Sequence, residues 1–181
     1  MQRGLSVVDV TTGSILSRNV VRRFHSSGAL TPDGNTLYTT TPFLHGAFTI
    51  FDITALLTPL VPPGESENGM SRTNIAVTFP FAIVGDFEND RLFVASPDGI
   101  TAFRVPDQQT GFVPLALRSI SGANLPPIDD SYRVLTLAAD NSRLYVSLPD
   151  SNAVAVVGTD SLRVLKMLPV GVRPVAVAAM R

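Results

Sequence analysis

One short pattern, a strand end followed by an acidic turn and the start of a second strand, occurs three times in the chain. It reads LTPDGNTLYT at 30–39, VGDFENDRLFV at 84–94 and LAADNSRLYV at 137–146. Aligned on Leu37, Leu92 and Leu144, the copies lie 55 (92 − 37) and 52 (144 − 92) residues apart. Self-similarity at such a period marks a repeat architecture, in which each unit buries its apolar face only by stacking on its neighbours. A fold built from one hairpin-rich unit, used several times over, is therefore expected.

Composition narrows the choice. Lys and Arg total 14 against 15 Asp and Glu in 181 residues, for a net charge of −1. No basic stripe of the kind that holds a phosphate backbone is present, so nucleic acid is not an expected partner. The absence of cysteine removes disulfides, thiolate zinc sites and cysteine nucleophiles together. No apolar run approaches the ~18 residues of a spanning helix, and the amino terminus has no secretory-signal pattern, so no membrane span is expected. Charged residues make up only 16%, while 14 Pro and 13 Gly are spread along the whole length, which reads as short strands separated by frequent turns.

Along the chain, residues 5–10 and 14–20 form a hairpin about Thr11-Thr12-Gly13. The Pro32-Asp33-Gly34 turn has a mechanical basis: Pro presets φ, Asp bonds its own backbone, and Gly accepts positive φ. A strand at 47–53 ends in Ile50-Phe51-Asp52-Ile53, the same signature as Val7-Val8-Asp9-Val10. Residues 54–60 read as a helical turn or a fourth strand, and the breaker-rich 62–69 as an exposed insertion between units. The second unit has strands near 80–84, 92–96, 100–105 and 113–119, and the third near 134–138, 144–148, 153–157 and 161–167. Residues 175–180 read as a new first strand, so that Val175→Asp would bury an unpaired charge. The divisions are 1–20 (partial), 21–74, 75–121, 122–168 and 169–181 (partial). Four strands per unit is the number a propeller blade requires.

Gly171-Val172-Arg173-Pro174-Val175-Ala176-Val177, the PDGNTLY turn at 32–38 and VVDVTTG at 7–13 resemble the three signature parts of the YVTN-type β-propeller repeat. Arg104 and Gly158 stand where the first unit has Asp52. The resemblance implies an all-β propeller of four-stranded antiparallel blades, here three full blades and a composite or truncated fourth. Similar propellers have about seven blades and include lactonase-like, surface-layer-like and quinoprotein-dehydrogenase-like proteins. They are often exported by bacteria, which implies an extracytoplasmic (periplasmic or secreted) location. The amino-terminal hairpin and the last strand either share one composite blade that closes a small ring, or belong to a longer propeller with open edges suited to self-association.

Candidate chemistry is sparse. His25, Tyr132, Arg133 and Arg173 stand at or beside the starts of innermost strands, the position that faces a propeller's channel mouth, and could hold an anionic or polar group. Asp33, Glu88 and Asp140 recur at one position and either gather a cation on a common rim or simply set their turns. Asp9 and Asp52 read as turn-setting. His25 and His45, with Asp33 and Asp52 near in sequence, would suit zinc or manganese only if loops gathered them, and otherwise are loop residues. No Gly-x-Ser-x-Gly elbow or phosphate loop occurs, and no cofactor is called for. The function expected is a non-catalytic binding or scaffold module for a protein, glycan or small molecule. The alternative is a lactonase-like or quinoprotein-like enzyme, which needs His, Asp, Glu and Arg converging on the mouth from several blades.

Overall fold

The computed structural model describes residues 4–20, 27–41, 47–53, 57, 70–74, 77, 79–97, 99–105 and 134–179. These residues form antiparallel sheets. A hairpin of β1 (Gly4–Val8) and β2 (Ile15–Val20) comes first. The first full sheet is β3 (Ser27–Leu30), β4 (Thr36–Thr41), β5 (Ala47–Asp52) and β6 (Met70–Asn74). The second is β7 (Ala82–Asp86), β8 (Arg91–Ser96) and β9 (Gly99–Arg104). The third is β10 (Leu135–Leu137), β11 (Arg143–Leu148), β12 (Ala153–Gly158) and β13 (Val164–Pro169).

Register establishes that the repeat seen in sequence is a structural one. Leu30 pairs with Leu37, Gly85 with Leu92 and Leu137 with Leu144, a separation of seven in each case (37 − 30, 92 − 85, 144 − 137). The third strands follow suit, since Leu37 faces Phe51, Leu92 faces Phe103 and Leu144 faces Val157. Asp52, Arg104 and Gly158 are accordingly equivalent. The first and third turns close identically: Gly34 N–H donates to Thr31 O at 2.9 Å and Asn141 N–H to Ala138 O at 3.0 Å. Gly34 and Asn141 both take positive φ there (73° and 56°), a conformation that Gly and Asn tolerate best.

The sheets face one another. Ala82, Phe93, Ala95, Ile100 and Ala102 of the second sheet pack against Leu135, Leu144, Val146, Ala155 and Val157 of the third. The opposite face of the second sheet, with Ile83, Leu92, Val94 and Phe103, packs on Ala29, Tyr38 and Ile50 of the first. Burial on both faces explains why Leu92-Phe93-Val94-Ala95 is apolar without alternation. Leu92, Phe93, Leu144 and Phe103 are essentially inaccessible, each contributing roughly 1.5–3 kcal/mol by leaving water. Between sheets the backbones approach most extensively from β3 to β7 and from β7 to β10, so the first strands of successive units stand side by side.

Several expectations change. The fourth strand of the first unit is β6; of the two readings of 54–60, the helical turn agrees with Leu57, which is in helical conformation as is Ile53 before it, and the breaker-rich segment lies within the unit, between β5 and β6. Met70-Ser71-Arg72-Thr73-Asn74 gave no apolar signal because this strand is joined to β5 by backbone pairing, Ala47 with Asn74 through Phe51 with Met70. Residues 175–179 are not a strand: Val175 is 76% exposed, and the composite blade does not form, since β1 and β2 make a sheet of their own among the described residues. The strand expected at 113–119 lies outside the described residues.

Candidate functional site

Two ends of the repeated sheets carry polar chemistry, the end where the first strands begin and the end where the acidic turns lie. At the first, the β11–β12 connection is a 3-10 turn, Pro149–Ser151, closed by Asn152 at φ 50°. Asn152 O accepts the Val170 N–H (2.9 Å), and its Oδ1 accepts the Arg173 N–H (2.9 Å). That pins Arg173 to the end of the third sheet where β10 starts. Its guanidinium stays open to solvent, with Nη2 3.8 Å from Asp150 Oδ1. An exposed pair at that distance holds the side chain loosely, which leaves the cation free to meet an anion. His25, Tyr132 and Arg133, the other three residues of the sequence-derived site, lie outside the described residues, as does His45. The same end has bonds to hydroxyls: Ile83 N–H donates to Ser27 Oγ (3.3 Å) between the second and first sheets, and Val134 N–H to Ser147 Oγ (2.8 Å) within the third unit.

At the opposite end the acids act locally. Asp33 Oδ1 accepts the Thr31 hydroxyl (2.6 Å) and the Asn35 N–H (3.1 Å), and Asp140 Oδ1 accepts the Ser142 hydroxyl (2.8 Å) and N–H (3.1 Å). In the β1–β2 turn, Asp9 Oδ1 accepts the backbone N–H groups of Thr11 (2.8 Å) and Thr12 (3.2 Å). These bonds favour the charged form and hold all three carboxyls below the usual 3.8. Glu88 departs from the pattern: its Oε2 accepts Asn141 Nδ2 (2.9 Å) from the neighbouring sheet. Among the described residues, no three His, Asp or Glu stand together as a metal site would require.

A third constellation was not legible as a site. Asp86 is fully buried at the end of β7, and Arg91 grips its Oδ2 with Nε (3.0 Å) and Nη2 (2.7 Å), while Asn89 Nδ2 donates to both carboxylate oxygens (3.0 and 3.1 Å). Arg91 Nη1 then crosses to the third sheet, to Asp160 Oδ1 (2.8 Å) and Thr159 O (3.4 Å), and the guanidinium lies over the Phe93 ring, 5.4 Å from its centroid. Burial opposes the charge on Arg91, but hydrogen bonds to Asp160 and Asp86 outweigh it and raise the pKa. On the third-sheet side, Thr159 donates its hydroxyl to Asn141 O (2.8 Å). The Nε/Nη2 fork holds Asp86 within the second sheet, and the Nη1 bonds to Asp160 and Thr159 join that sheet to the third. The signal in sequence is positional: Asp86 and Arg91 occupy the places held by Thr31 and Thr36 in the first unit and by Ala138 and Arg143 in the third.

No protein-family model and no curated protein matches the chain. Among solved structures it is similar to Kuenenia stuttgartiensis hydrazine synthase, with a TM-score of 0.65 and 18% identity over 91% of this chain. The chain spans 42% of that neighbour's length. At this identity the likeness is one of fold alone: an all-β chain of successive antiparallel sheets.

Proposed function

We propose that the chain is a β-propeller module of the YVTN repeat type that works by binding, not catalysis. The observation that carries this reading is the common register of the three units together with the adjacency of their first strands, β3 beside β7 and β7 beside β10. Blades that meet first strand to first strand surround an axis, and the end at which those strands begin is the mouth of a channel. There the proposed ligand surface is made by Arg173 with His25, Tyr132 and Arg133, and its target is an anionic or polar group on a protein, glycan or small molecule. An extracytoplasmic setting goes with the family resemblance.

Thermal-shift and calorimetric screening against carboxylated and sulfated glycans and small organic anions tests the reading. Saturable binding, weakened at least tenfold by Arg173→Ala and unaccompanied by turnover, supports it. Steady hydrolysis of a lactone panel would replace it with the enzyme reading.

A further inference from the structure

Among the described residues, six other than glycine take positive φ: Phe79, Asp90, Asn141, Asn152, Leu162 and Arg173. Asn and Asp tolerate that conformation, and Leu162 is packed into the core. Phe79 (φ 46°) and Arg173 (φ 50°) remain, and they correspond. Each follows the fourth strand of a sheet, five residues after β6 (79 − 74) and four after β13 (173 − 169), and each precedes a proline. A bulky residue at positive φ is a genuine outlier, and a turn alone would be made with less strain by Gly or Asn. Nor is the strain offset by burial of the ring, since Phe79 is 51% exposed while Val77 and Pro80 to either side are buried. Strain kept at an exposed side chain, with the chain anchored before and after it, points to a use for that side chain.

We infer that Phe79 is a ligand-contact residue, a stacking platform at the mouth where Arg173 meets an anion, and that the ligand is a short acidic glycan. The inference rests on the binding reading and adds the chemical class of its ligand. Phe81 N–H donates to Ala95 O (2.8 Å), so the ladder of the second sheet begins two residues after Phe79. Arg173 is pinned by Asn152 at the same end of the third sheet, and the two sheets face one another. Facing sheets are separated by about 10 Å, more than a single ring spans. A ligand that touches both residues therefore has at least two units: a sugar whose apolar face covers the phenyl ring, and a neighbouring uronic acid whose carboxylate reaches the guanidinium. A small aromatic acid, with its carboxylate directly on the ring, meets one residue or the other and not both.

Calorimetric titration with a disaccharide of glucuronic acid and glucose tests it. Wild type should bind this probe saturably, and should bind benzoate and the neutral glucose disaccharide about tenfold more weakly or worse. Phe79→Gly should weaken the acidic disaccharide by about tenfold or more while melting close to wild type, because Gly accepts positive φ and the ring it removes is exposed. The chain contains no tryptophan, so Phe79→Trp places a single indole on the platform. That variant should keep its affinity, and its emission should shift as the disaccharide is added, which a purely structural role would not produce. Several results would overturn the inference: benzoate bound as tightly as the disaccharide, an indole emission indifferent to it, or a Phe79→Gly protein that melts far lower. Binding of the disaccharide or of a simple anion that Arg173→Ala removes and Phe79→Gly leaves intact would sink this inference and leave the binding reading standing. A wild type that binds no anion at all would sink both.

Discussion

Arg91 should be among the most costly polar side chains to remove, and the reason lies in burial, not distance. Its contacts with Asp86 and Asp160 are nearly equal in length, 2.7 and 2.8 Å, but the Asp86 side chain is fully buried while that of Asp160 is 93% exposed. Breaking a buried pair strands a charge in a medium that cannot solvate it, at about 3–5 kcal/mol. Losing an exposed partner costs about 0–1 kcal/mol. Arg91→Met, which keeps an apolar stem against Phe93, is therefore expected to lower the melting temperature by roughly 6–20 °C, taking about 2–4 °C per kcal/mol for a chain of this size. Asp160→Asn should shift it by only a few degrees. If the damage is the orphaned carboxylate, adding Asp86→Leu to Arg91→Met should recover most of it. Calorimetry on the four proteins decides the matter. Equal losses for Arg91→Met and Asp160→Asn, or no recovery in the double variant, would refute the argument from burial.

Other outcomes follow from the same geometry. Gly85→Leu, which restores the residue that Leu30 and Leu137 supply at this register, should destabilise by about 1–3 kcal/mol in urea unfolding, because a Cβ there collides with the Phe87 ring. Val175→Asp should change stability by no more than about 0.5 kcal/mol, the reverse of the expectation from sequence, since this side chain is exposed. The carboxyls of Asp9, Asp33 and Asp140 are lowered on folding, so their stabilisation is complete above the unfolded value near 3.8 and disappears as pH falls through the lower folded values. Melting curves from pH 6 down to pH 2 should show that loss, and Asp33→Asn with Asp140→Asn should flatten it; an unchanged acid slope would count against the turn bonds.

Much of the fold was legible because turns and apolar pairs act locally. Asp33, Asp140 and Asp9 set their turns through partners no more than three residues away, within reach of sequence reasoning. The leucines at 37, 92 and 144 marked the second strands correctly because an apolar residue at that place meets both a first and a third strand. What escaped depends on distant partners. β6 is held by its ladder to β5 and needs no apolar alternation of its own. The partnership of Arg91 with Asp160 spans 69 residues and exists only because two sheets stack. Residues 175–180 read as a first strand from their place in the repeat, but that place does not supply a neighbouring strand, and residues 174–179 run without one. At the proposed mouth, Arg173 is held by Asn152, a contact that spans 21 residues.

The absence of cysteine makes the most direct test of the blade arrangement straightforward, since spin labels can be placed at will on introduced thiols. One pair, Leu30→Cys with Thr136→Cys, reports the separation of first strands β3 and β10; a second, Asp52→Cys with Lys166→Cys, reports the same two sheets farther from the proposed axis on β5 and β13. Pulsed dipolar spectroscopy should give a clearly shorter distance for the inner pair than for the outer one, as wedge-shaped stacking around an axis requires. Equal distances, or a longer inner one, would mean a flat stack of sheets and would contradict the propeller on which the proposed mouth depends.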